Sequence, residues 1–161
     1  QAAVLEIHDI LAEVESLGLS YGYECLTRTQ RPAGRAEAIE VPAGSSLLDL
    51  TCQHLAGSAP FCIEQRLIAL DAVPNAAQEA FDTTAPGPWL ISHVPWSEAE
   101  HTIRAEAAGP EQARLLAIAP DAACLVIERR TWSAGRPVTF VRLTYPGTSH
   151  ALVARFAPTE R

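Results

Sequence analysis

Residues able to do chemistry gather at three places in this chain. Cys52 and His54 are two apart, Glu64 and Arg66 are two apart, and Gly57-Ser58 lies between the pairs. His101 interrupts an apolar alternation made by Ala99, Ile103, Ala105 and Ala107. Arg142 stands in line with Val138 and Phe140. On a strand, a spacing of two puts side chains on one face. Cys52, His54 and His101 are therefore a candidate metal set, although the paired spacing of zinc modules is missing. A Cys52–His54 nucleophile pair is the other reactive reading, but no cationic setting is evident to lower the thiol pKa. Glu64 and Arg66 read either as a solvated pair on a mixed sheet face or as polar groups turned toward a ligand. His101 is either a core histidine bonded to a carbonyl or a contact at a pocket floor. Arg142 either snorkels to water or pairs with a negative group, which separates a plain core from an anion pocket.

These residues need strands to position them. Tyr21 to Gln30, Leu47 to Leu55 and Pro60 to Ala69 read as strands, the last two joined as a hairpin at Gly57-Ser58. An odd loop there sets Cys52 opposite Glu64 and His54 opposite Cys62, whereas a two-residue loop puts these pairs on opposite faces. Ser97 to Ala107 alternates with period two despite its Ala and Glu content, so it reads as a strand with one wet face. Cys124 to Ser133 and Val138 to Gly147 form a final hairpin at Gly135, with Arg129 and Arg130 on opposite faces. A closing strand from Ala151 to Phe156 is expected.

Ile7, Ile10, Leu11, Val14 and Leu17 recur at helical spacing between Asp9 and Gly18. Short helices are also expected at Pro74 to Phe81, after Pro86 and from Pro110 to Ile118, with one helical turn at Arg35 to Ile39. The pattern predicts an α+β fold: a largely antiparallel, six-stranded sheet with short helices to one side.

Composition narrows the function classes. The 161 residues suffice for one domain with a real core, and 48% of them are apolar. The net charge of -7 disfavours nucleic-acid or anionic-membrane binding by this segment. All twelve basic residues are arginine, so Schiff-base lysine chemistry and a lysine-bearing phosphate loop are excluded. No cofactor motif appears, and no apolar run is long enough to span a membrane. The four cysteines form no C-x-x-C pair and read as reduced thiols of a cytoplasmic protein. A chain opening on Gln1 in mid-pattern is expected to be a fragment of a longer one.

Several segments together resemble a known family. They are Leu5-Glu-Ile-His-Asp-Ile, Glu64-Gln-Arg-Leu-Ile, Pro86-x-x-Trp-Leu-Ile-Ser-His-Val-Pro95, Ala99-Glu-His-Thr-Ile, Cys124-Leu-Val-Ile-Glu-Arg-Arg-Thr-Trp-Ser and Arg142-Leu-Thr-Tyr-Pro-Gly147. They are similar to the effector-binding (UTRA) domain of GntR-type transcription repressors, in the histidine-utilisation branch. The resemblance implies a chorismate-lyase-like fold, with residues 1–20 as interdomain linker and first helix and 21–161 as the effector domain. It implies a winged-helix DNA-binding domain before Gln1, operator DNA bound through that domain, a homodimer, and release by urocanate or a related small acid. Family ligand positions fall on Cys52, His54, Glu64, Gly87, His101, Thr139, Arg142 and Tyr145.

Urocanate is planar, with a carboxylate at one end and an imidazole at the other. Arg142 or Arg66 could grip the carboxylate through two parallel hydrogen bonds. Glu64 could accept the imidazole N–H, and Tyr145 or Phe140 could cover the ring. The alternatives are a chorismate-lyase-like enzyme and a small-molecule or metal-binding module. No nucleophile or acid/base pair stands out, which favours sensing over catalysis.

Overall fold

The computed structural model describes residues 9–159. Six antiparallel strands form one sheet: β1 (Tyr21–Pro32), β2 (Ser46–Ala56), β3 (Ala59–Ala69), β4 (Glu98–Ala107), β5 (Ala123–Ser133) and β6 (Arg136–Pro146). Their order across the sheet is β1-β2-β3-β6-β5-β4. Each strand lies where the alternation placed it, including the Ala- and Glu-rich β4. Three short helices accompany them: α1 (Ile10–Ser16), α2 (Pro86–His93) and α3 (Pro110–Leu116). Asp9 caps α1 by accepting a hydrogen bond from the Leu11 amide at 3.0 Å. Proline opens α2 and α3 where the first-turn N–H has no intrahelical acceptor.

Three expected elements differ. Pro74–Gln78 is a 3-10 helix rather than an α-helix running to Phe81. Residues 35–39 carry only bends, and 151–156 form no strand. Instead the segment after β6 folds back, and His150 stacks on Tyr145 with ring centroids 3.8 Å apart. His150 also approaches Glu13 of α1 at 3.5 Å. Ile7 lies outside the described residues.

The β2–β3 hairpin combines the two loop geometries. Gly57, at φ +61, and Ser58 make a two-residue turn, with Ala56 paired to Ala59 and Leu55 to Pro60. Phe61 is then left over as a bulge, so His54 pairs with Cys62 and Cys52 with Glu64. One extra residue thus gives the register of an odd loop and turns Glu64 to the same face as His54.

The sheet's two faces carry different loads. On one, Leu48, Leu50, Cys52 and Ile68 pack on Phe81, Trp89 and Leu90 from the α2 region. Farther along that face, Ile10 and Val14 of α1 pack on Cys62, Val141, Leu143 and Tyr145. On the opposite face, α3 covers Ile63, Cys124 and Val126, and the 33–45 segment covers Leu47, Ala69 and Phe140 through Ala33 and Ile39. Helices therefore flank both faces rather than one. Among the described residues no helix is long and apolar enough to cross a membrane.

Candidate functional site

The site grows from a gap. The α1 and α2 clusters cover separate parts of one sheet face, and the polar residues His54, Glu64, Arg66 and Arg129 are buried on that face. Register explains the gathering: Arg66 and Arg129 both pair with Val141, so the three side chains share a face. Between the two helices lies a cavity of about 430 Å³. Tyr21, Tyr23, His54, Glu64 and Arg129 line its sheet side. Asp9, Ile10 and Leu11 from the start of α1, and Thr83, Ala85, Gly87, Pro88 and Ile91 from the α2 region, complete it.

Glu64 is the electrostatic centre. His54 Nε2 donates to its Oε1 at 2.7 Å, and Arg66 Nε donates to its Oε2 at 2.6 Å. Burial alone would raise its pKa. Arg66 and His54 outweigh burial and hold the carboxyl at about 2, so it is ionised. The Tyr21 hydroxyl lies 2.6 Å from His54 Nδ1, extending the chain to four side chains. Burial, with the Glu64 charge nearby, pushes the Tyr21 phenol well above its usual value, so its hydroxyl keeps its proton. The Tyr23 hydroxyl donates to the Phe81 carbonyl at 2.7 Å and lies 3.3 Å from Cys52 Sγ.

Arg129 supplies the second cation. Its Nε donates to His101 Nε2 at 3.1 Å. Burial and then Arg66 lower its pKa to about 10, which leaves it charged at neutral pH. With Arg66 matched to Glu64, Arg129 is the buried guanidinium of the cavity without a carboxylate partner among the described residues. Such an arrangement can take a mono-anion through charge-assisted hydrogen bonds.

The residues expected from sequence separate into three sets. His54, Glu64 and Gly87 line the cavity, and Arg66 is buried behind Glu64. Glu64 and Arg66 are 2% and 5% exposed, so the solvated-pair reading does not describe them. A Cβ on Gly87 would lie 3.5 Å from Arg66 Nη2, which puts the α2 entry against this arginine. Cys52, His101, Thr139 and Tyr145 share the face but stand outside the cavity wall. Cys52 is buried beside Tyr23, and burial pushes its thiol up, the opposite of an activated nucleophile. His101 positions Arg129. Thr139 bonds Thr131 at 2.8 Å and borders a small recess of about 40 Å³. Tyr145 is covered by α1 and His150.

Arg142 is not brought to the others. It pairs with Gln65 and Glu128 across the sheet, which places it on the opposite face. There it donates to Glu106 at 2.6 Å and Glu128 at 2.9 Å, so both Nη groups are engaged. It is a charge paired within the fold rather than an open anion anchor. The metal set also disperses: β2 and β4 are four strand positions apart, and no cluster of three or more metal-binding side chains exists among the described residues.

Sequence reasoning passed over Tyr21, Tyr23, Asp9 and Arg129 as site residues. The signal for Arg129 was its alternation with Ile127 and Thr131, which gives it an inward face. Tyr21 and Tyr23 flank Gly22 at the same spacing.

Comparison with known proteins bears on this geometry. Residues 16–151 match the UTRA domain family. The chain is 33% identical over 159 residues to the histidine utilization repressor of Pseudomonas putida, and 32% identical over 158 residues to that of Klebsiella aerogenes. These matches cover 98% and 97% of this chain, which spans only 64% and 66% of the relatives' lengths. The crystal structure of the C-terminal domain of the histidine utilization repressor from Pseudomonas syringae superposes with a TM-score of 0.79 at 30% identity. That superposition covers 86% of this chain and 99% of the other. The effector domain of PhnF from Mycobacterium smegmatis shares the fold at 15% identity and a TM-score of 0.83, over 96% of this chain and 98% of its own. A single family match over most of the chain and a 30%-identical structure covered almost end to end lead to one conclusion: this chain belongs to the UTRA domain family.

Proposed function

We propose that this domain senses a small planar organic acid, urocanate, for a GntR-type repressor of histidine utilisation. The observation that carries this reading is the cavity itself: an apolar and aromatic lining, an ionised Glu64, and at Arg129 a guanidinium that no carboxylate of the described residues pairs. The ligand carboxylate pairs with Arg129, because Arg142 is turned to the opposite face of the sheet. The ring lies against Tyr21 and Tyr23, and its N–H points to the Glu64 end. The repressor relatives support a regulatory rather than an enzymatic role.

In the longer protein, residues 1–20 join this domain to a winged-helix domain that holds operator DNA, and two copies act as a homodimer. Effector binding releases DNA only if the ligand prefers the released arrangement. Because α1 lines the cavity and is part of that connection, it is the element through which the preference passes. Isothermal titration of the 161-residue chain with urocanate tests the reading. Binding to the parent chain is expected, together with a loss of on the order of tenfold or more in Arg129→Ala. Undiminished affinity in that variant would remove Arg129 as the anchor, and no binding to the parent would remove the function.

A further inference from the structure

The cavity has a hydrogen-bond polarity that a tally of its lining does not reveal. Glu64 is ionised, so both of its oxygens only accept. Its 2.7 Å contact with His54 Nε2 therefore puts a proton on that nitrogen. His54 is 2% exposed, and Arg66 already balances Glu64 at 2.6 Å. Glu64 already has its counter-charge in Arg66, so the hydrogen-bond network assigns His54 the tautomer that carries its proton on Nε2. That tautomer has a bare Nδ1, and the 2.6 Å contact there is a hydrogen bond donated by the Tyr21 hydroxyl.

Tyr21 has thus spent its only proton on the protein. What remains on its oxygen is lone pairs. Tyr23 has likewise spent its proton on the Phe81 carbonyl. The Asp9 carboxylate borders the same end of the cavity. Acceptors from Asp9, Tyr21, Tyr23 and Glu64 gather on the α1 and β1–β3 side, while the guanidinium of Arg129 comes from β5, two strand positions beyond β3.

We propose that Tyr21 is a specificity-determining residue: oriented by its bond to His54, its oxygen accepts a ring N–H of the bound acid. The cavity thereby selects planar acids with an N–H donor remote from the carboxylate over acids of equal shape that lack one. This inference rests on the acid-binding function proposed above, and the experiment separates the two. The 161-residue chain is titrated with urocanate and with trans-3-(2-furyl)acrylate, which keeps the planar shape and carboxylate but has no ring N–H. Urocanate is expected to bind tighter by about tenfold or more, although the furan is the less polar ring. Tyr21→Phe is expected to weaken urocanate by about tenfold and leave furylacrylate unchanged. Equal affinity of the two acids for the parent chain would overturn the selectivity while leaving acid binding intact. Parallel losses for both acids in Tyr21→Phe would make Tyr21 a packing residue, and no change for either would overturn its role. Binding of neither acid by the parent would overturn both readings.

Discussion

At Glu64 a single carboxyl ties stability to pH. Its pKa in the fold is about 2, against the usual 4.5. A carboxylate held below its unfolded value stabilises the fold fully above pH 4.5, and that contribution is lost as the pH falls toward 2. The Glu64 share of the linked loss is on the order of 3 kcal/mol. Glu37, held at about 2 by Arg31, titrates over the same range, so chemical denaturation curves between pH 6 and 2 read the Glu64 share as the difference between the parent and Glu64→Gln. That variant also leaves Arg66 buried without its counter-charge, at a cost of about 3–5 kcal/mol by the same assay. Arg142→Met behaves differently. Its partners are on the far face and it is partly exposed, so a cost of about 1 kcal/mol and an unchanged urocanate affinity are expected. The contrast explains what sequence could reveal at this scale. Spacing put Cys52 with His54 on one face and Glu64 with Arg66 on one face, because period two is a property of any strand; the Phe61 bulge brought the two pairs together. Spacing could not assign Arg142 its partners, because Glu106 and Glu128 belong to other strands whose registers only the fold supplies.

Elements were legible where a local pattern sufficed. The alternation in β4 overrode a helix-favouring composition, and proline and Asp9 marked helix starts. Two of the three differences, at residues 35–39 and 151–156, fall where tertiary contacts decide the backbone. Ile39 serves the core without a helix, and His150 stacks on Tyr145 rather than leading into a seventh strand. The hairpin register was undecidable from turn residues alone because a bulge at Phe61 added to a two-residue turn. Beyond β6, Gly147 has a steric reason to be glycine. A Cβ there would sit 2.7 Å from the Ala123 carbonyl oxygen, a backbone atom, and the Gly147 amide donates to that same oxygen at 2.8 Å. Gly147→Ala should therefore destabilise the fold by about 1–3 kcal/mol, read as a lowered melting temperature.

For the whole molecule, the cavity between two separately packed helices predicts how a ligand is felt. Saturation at a hundred times the dissociation constant should stabilise the chain by about 2.7 kcal/mol, visible as a melting shift. Hydrogen exchange should slow in α1 and across residues 82–93, since those segments supply the non-sheet walls. Unaltered protection in both would mean that occupancy is not conveyed to the helices. α1 has a second attachment as well. Its Glu13 meets His150, and His150 rests on Tyr145, so the carboxy-terminal segment braces the helix from behind. Effector sensitivity thereby becomes a property of chain length: a protease trimming the protein back to Pro146 would change the response without removing one residue of the cavity wall.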